Sequence, residues 1–194
     1  VKSGKKRLYF LARDGYQMYL VAERLCEAWQ LDMECRYLHA SRYAVRLPEY
    51  HLLQERCLER ICVGGIDVTF WKVMKRAALT DKECYQVAVE CGYENRMNQQ
   101  LSYQEVMKLK EVLKKSAYFL EFVYAHSKEV FEDAAGYFKQ EGLLEDVPYA
   151  LVDSGWIGTL QQSIQHLVDV ICQREYAKEF TNRIEGYYFG LYEI

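Results

Sequence analysis

The chain has 194 residues, 51% of them apolar, 27% charged and 14% aromatic, and 25 Lys and Arg against 28 Asp and Glu leave a formal charge of −3. Those figures exclude collagen-like and disordered chains and disfavour the basic composition of a nucleic-acid binder. A chain of this length buries roughly 70% of the surface its unfolded form exposes, so residues 1–194 are expected to form a single α/β domain without staples.

No stretch approaches the roughly 20 apolar residues of a membrane helix, and no signal-peptide pattern opens the chain. The expectation is a soluble, cytoplasmic protein with no membrane insertion. The seven cysteines, at 26, 35, 57, 62, 84, 91 and 172, lack CxxC spacing and sit mostly in apolar patterns. They read as reduced thiols rather than disulfides or zinc ligands. The chain opens on Val1 and stops at Ile194 in an apolar run, so a domain cut from a longer protein is expected.

Arg7 to Ala12 is an apolar run of strand length, followed by Arg13-Asp14-Gly15. Met18, Val21, Ala22, Leu25, Cys26 and Trp29 then recur at helical steps and predict one buried face. Met33 to Ala40 reads as a second strand ending in Ser41-Arg42, which completes a βαβ unit. From about 49 to 141 the pattern is helical and forms an insertion. Asp67 is the expected cap of a helix carrying Phe70, Trp71, Val73 and Met74, and Thr80 to Glu83 and Ser102 to Glu105 have capping-box spacing. After Ser102 a heptad rhythm runs through 106, 109, 113, 116, 120, 123, 127, 130, 134 and 137. One helix over 103–141 would be about 55 Å long, against roughly 40 Å for a globule of this size. A break near His126-Ser127 is therefore expected, with core packing preferred to a partner helix. The α/β pattern returns with a strand at Tyr149 to Val152, the turn Asp153-Ser154-Gly155-Trp156-Ile157-Gly158-Thr159, a helix through Leu160, Ile164 and Leu167, and a last strand from Ile184 to Tyr192. The predicted fold is a small, mostly parallel Rossmann-like sheet with a large helical insertion.

Ligands of open α/β sheets sit beyond the carboxyl ends of the strands, where strand order reverses. Three polar clusters occupy such ends and are expected to converge: Arg13-Asp14-Gly15, Ser41-Arg42, and Asp153-Ser154-Gly155 with Gly158-Thr159. Gly155 and Gly158 permit close backbone approach, and the following helix offers free N–H groups to an anion. Arg13 and Arg42 supply forked donors, and Ser41, Ser154 and Thr159 supply hydroxyls. Asp153 and Asp14 are the candidate catalytic carboxylates, and Trp156 either fills the core or stacks on a ligand ring. Structural readings stand beside these: Arg13 with Asp153 as an internal ion pair, Asp14 and Thr159 as helix caps, and the glycines as a tight turn. His39, His51, His126 and His166 have no metal or triad spacing and read as structural or solvent-facing.

The stretches Tyr9 to Tyr16, Tyr37 to Ala44, Leu151 to Gln161 and Gly186 to Leu191 resemble, in order, the segment that follows a haloacid dehalogenase-like hydrolase domain in large bacterial proteins of cell-surface polysaccharide loci. That resemblance implies a bacterial origin, a covalently linked hydrolase domain ahead of this segment, and in some cases a neighbouring glycosyltransferase. It assigns no activity to the segment itself. Phosphatases of that family need an Asp nucleophile at the end of their first strand, where this chain has Ala12, so hydrolase activity is expected in the preceding domain.

A second resemblance is to purine-salvage phosphoribosyltransferases, whose outline Leu11 to Leu25, Glu34 to Tyr43 and Tyr149 to Leu167 follow. It places Asp153 at the acidic position and Gly158-Thr159 in the phosphate loop. Three departures are visible: the acidic pair is reduced to Asp153-Ser154, the loop is about two residues short, and Ile157 stands where the first Thr belongs. The function expected from the whole sequence is binding of a phosphorylated nucleotide or sugar at the strand ends, with phosphoribosyl- or glycosyl-type group transfer as the reaction if the domain is an enzyme. No residue set reads as a metal site, and Mg2+ is left open as a cofactor. The alternative is a non-catalytic scaffold docking a hydrolase or glycosyltransferase partner.

Overall fold

Two apolar runs, Arg7–Leu11 (β1) and the first part of Tyr149–Trp156 (β3), become the central strands because both of their faces can be buried. The computed structural model describes residues 3–156, 158–177, 180 and 183–191, with the backbone alone at 156 and 191. Val1, Ile157, Tyr192 and Ile194 lie outside the described residues.

Among the described residues the sheet has four strands, all parallel, in the order β2-β1-β3-β4, where β2 is Glu34–Leu38 and β4 is Glu185–Leu191. The fold is α/β, a small Rossmann-like sheet with helices, as the strand and helix periodicities predict. Helix α1 (Gly15–Ala28) joins β1 to β2, and α8 (Thr159–Tyr176) joins β3 to β4. The chain divides into two compact units, residues 1–45 with 133–194, and residues 46–132. Among the described residues no helix is long and apolar enough to cross a membrane.

In the sheet-bearing unit, β1 pairs with β2 from Arg7 opposite Glu34 to Leu11 opposite Leu38, and with β3 from Arg7 opposite Tyr149 to Phe10 opposite Val152. Strand β3 then continues past the end of β1 alongside β4, with Asp153 opposite Tyr188 and Gly155 opposite Gly190. Tyr9, Phe10, Leu11, Ala150 and Leu151 are buried, and α8 covers the sheet with Ile164, Leu167, Val168 and Ile171. The expected apolar face of α1 is only partly used. Met18, Ala22 and Cys26 are half-buried, whereas Val21, Leu25 and Trp29 are exposed, because only a narrow strip of the helix lies on β1 and β2.

Polar groups at the starts of the strands are tied to one another. Buried Arg7 donates to Glu34 at 2.5 Å and to the Gly142 carbonyl at 3.1 Å, and pairs with Glu145 at 2.8 Å. Arg36 donates to Glu34 at 2.5 Å and to the Glu141 carbonyl at 2.6 Å.

The second unit has a core of its own, running from Leu47 to Val123. It holds the later part of α2 (Arg42–Leu53), the short α3 (Leu58–Ile61), α4 (Phe70–Arg76), α5 (Asp81–Cys91), α6 (Tyr103–Leu113) and the first part of α7 (Ala117–Gln140). Both expected capping boxes form, at Thr80 with Glu83 and at Ser102 with Glu105. The cap of α4 is Thr69, which accepts from the Lys72 N–H at 3.1 Å; Asp67 lies two positions too early and has left-handed backbone, φ 54°. The long helix breaks at Lys114 to Ser116 rather than near Ser127. Ser116 accepts from the Phe119 N–H at 3.1 Å and so starts α7, while Ser127 is satisfied inside it.

Candidate functional site

The strand order reverses between β1 and β3, since β2 lies to one side of that pair and β4 to the other. A cleft of about 450 Å³ lies at the carboxyl ends of these strands, within the sheet-bearing unit. It draws Ala12 and Asp14 from the turn after β1, Ala40 and Arg42 from the link after β2, Asp153, Ser154 and Gly155 from β3, Leu160 from α8, and Phe189 and Gly190 from β4.

Each polar group reaches the cleft for a local reason. Helix α1 begins one residue after Asp14, which holds the cap position but makes no side-chain cap bond. Its carboxylate instead accepts from the Ser154 hydroxyl at 3.3 Å and lies 3.8 Å from the Arg13 guanidinium. Arg42 is the first residue of α2 and its side chain is exposed; among the described residues its guanidinium makes no ion pair. Asp153 sits one residue past the last β1–β3 pair, Phe10 opposite Val152, and is half-buried, with its carboxylate accepting from the Ser154 N–H at 2.8 Å.

Burial is the largest influence on Asp153 and pushes its carboxyl up from the ordinary aspartate range; the N–H groups of Ser154 and Gly155 and the charge of Arg42 oppose this, and Asp14 adds to it. Tyr188 backs Asp153 across the strand pair, and its hydroxyl donates to the Gln161 side chain, whose amide donates to the Ile184 carbonyl at 2.6 Å. Burial and Asp153 both hold the Tyr188 phenol protonated, with its pKa raised.

Gly155 is required by geometry. Its φ is 126°, and a Cβ there would meet the Gly190 carbonyl oxygen at 1.8 Å, so the two main chains touch at the floor of the cleft. Gly158, φ 66°, caps α8, and a Cβ would come 3.3 Å from the Tyr188 hydroxyl.

Of the residues expected from sequence to form a site, Asp14, Arg42, Asp153, Ser154 and Gly155 come together in the cleft. Arg13 does not line it: the side chain is 96% exposed, and its ion pair is with Asp14 rather than Asp153. Ser41 accepts from the Ala44 N–H at 3.0 Å and caps α2 beside the cleft. Gly158 caps α8 and Thr159 starts it, two and one positions before Leu160. The Trp156 backbone pairs with Leu191, and its side chain lies outside the described residues. Sequence reasoning missed Phe189 and Leu160 as cleft residues, although strict alternation in Tyr187-Tyr188-Phe189 separates Phe189 from the face that backs Asp153.

Chemically, the arrangement offers a cationic fork for a phosphate or carboxylate, a partly desolvated carboxylate for a hydroxyl or proton, and a second carboxylate close by. Among the described residues no group of three or more His, Cys, Asp or Glu is placed to hold a metal ion. Comparison with known proteins finds no family model and no curated protein that matches this chain.

Proposed function

We propose that the domain binds a phosphorylated nucleotide or sugar in the cleft at the carboxyl ends of β1 and β3. The observation that carries this reading is Arg42: a guanidinium with no ion-pair partner among the described residues lines the same cleft as the partly buried Asp153, at the point where strand order reverses. In this reading Arg42 takes the phosphate, Asp153 orients a ligand hydroxyl or accepts its proton, and Ser154 and Asp14 steady that carboxylate. If the site turns over, its chemistry is group transfer at a phosphorylated sugar, with Arg42 stabilising the leaving phosphate. Kinship with the segments that follow haloacid dehalogenase-like domains in bacterial polysaccharide loci belongs to the same proposal, as does a covalently linked hydrolase.

A thermal-shift panel of nucleotides, sugar phosphates and sugar nucleotides, with and without magnesium, tests it. A ligand at about 100 times its dissociation constant contributes roughly 2.7 kcal/mol. The expected result is a shift that is lost in Arg42→Ala and Asp153→Ala. No shift with any compound, or equal shifts in the variants, overturns it.

One observation favours a second reading, a scaffold that docks a hydrolase or glycosyltransferase. Val21, Leu25 and Trp29 leave α1 with apolar surface exposed, at 58%, 39% and 66%. Against it, Arg42 and Asp153 face an open cleft, although Asp14 is tied to Ser154 and Arg13.

A further inference from the structure

Phe189 is 92% exposed, an unusual state for a large aromatic side chain on a strand, yet it lines the cleft. Alternation along β4 sets it apart from Tyr188, whose hydroxyl is occupied by Gln161. The register of β4 on β3 sets Phe189 opposite Ser154, and the next pair, Gly155 with Gly190, carries no side chains, so nothing from that pair covers the ring.

The cleft therefore has two chemically distinct walls. Arg42, Asp14, Asp153 and Ser154 offer charge and hydrogen bonds, whereas Phe189 and Leu160 offer apolar surface and no side-chain hydrogen-bonding group. A bare sugar phosphate leaves that second wall unused, and its hydroxyls find partners only on the first. A planar ring attached to a phosphorylated sugar satisfies both walls, because an aromatic face stacks on a base of any sequence identity.

We infer that Phe189 is the stacking platform for a nucleobase, and that the ligand class of this cleft is a nucleoside phosphate rather than a sugar phosphate. The inference rests on the phosphate-binding reading above and narrows it. Since Phe189 is exposed, its replacement leaves the core untouched.

The experiment is calorimetric titration of the intact chain with adenosine 5′-monophosphate and, separately, ribose 5-phosphate, using wild type, Phe189→Ala, Phe189→Tyr and Arg42→Ala. Phe189→Ala is expected to weaken the nucleotide about 5- to 150-fold and leave ribose 5-phosphate unchanged. Phe189→Tyr should restore nucleotide affinity, and Arg42→Ala should weaken both probes. The inference is overturned if Phe189→Ala leaves nucleotide affinity intact, if it weakens both probes equally, or if wild type binds ribose 5-phosphate as tightly as the nucleotide. Loss of the Phe189 effect with the Arg42 effect retained removes the base platform alone, whereas binding of neither probe by wild type removes the phosphate site and the platform together.

Discussion

Asp153 is held in a place that costs the folded chain stability when it is charged. Burial raises its pKa in the native state, so between the unfolded value of about 3.9 and the higher folded value the native state binds more protons than the unfolded one. Stability therefore falls as pH rises through that window, and at neutral pH the protein carries the cost of a partly desolvated charge. Asn at this position keeps an acceptor for the Ser154 N–H and has no charge to desolvate. Asp153→Asn is expected to melt higher than wild type at pH 7, with the difference vanishing near pH 3. Thermal melts at the two pH values check it; a variant that melts lower at pH 7 contradicts the assignment of burial as the controlling influence. The types and neighbours of Asp153, Arg42 and Asp14 were legible from their turns, but whether a carboxylate is buried depends on how far β3 outruns β1, and that register is a property of paired strands.

At the scale of elements, capping was the most legible feature, since Thr80 and Ser102 need only a Glu three residues on. The break in the long helical stretch was not. Both Ser116 and Ser127 lie on the apolar seam, and only tertiary partners distinguish them. Ser116 turns its hydroxyl to Glu90 and the Phe119 N–H and starts a helix. Ser127 is fully buried; it donates to the Pro48 carbonyl at 3.1 Å, accepts from the His51 N–H at 3.0 Å, and lies 2.8 Å from His51 Nδ1. It thus ties α7 to α2 at Pro48 and His51. The apolar row follows suit: Phe119, Val123, Ser127 and Phe131 recur at steps of four, which replaces the heptad rhythm with ordinary core packing. Ser127→Ala is expected to cost about 1–3 kcal/mol, the penalty for leaving buried polar groups without a partner. Urea denaturation checks it: a lower midpoint with unchanged slope is expected, and an unchanged midpoint excludes the role.

At the scale of the whole molecule, the strand-helix-strand rhythms at both ends of the sequence made a parallel sheet legible, because each strand leads within a few residues into an amphipathic crossover helix. The order of the strands was not. It requires β3, some 140 residues after β1, to pair beside it, and no local pattern encodes a pairing over that separation. The same holds for Phe189, which joins the cleft only through the register of β4 on β3. The order predicts an uneven distribution of stability. Strands β1 and β3 are central and buried, whereas β2 and β4 are edges with exposed positions. Hydrogen exchange followed by mass spectrometry is expected to show the slowest amides at 7–11 and 149–152 and faster exchange at 34–37 and 185–190. Equal protection across all four strands contradicts the order.

The contact between the Gly155 and Gly190 main chains has one more consequence. The width of the cleft is set there by backbone against backbone, while the groups proposed to choose a ligand, at 42, 153 and 189, arrive as side chains from three separate segments. Shape and preference are thus encoded at different positions. On the proposed function, exchanging any one of those three side chains changes which molecule is preferred while the vessel that receives it keeps its dimensions, so preference can change without rebuilding the sheet.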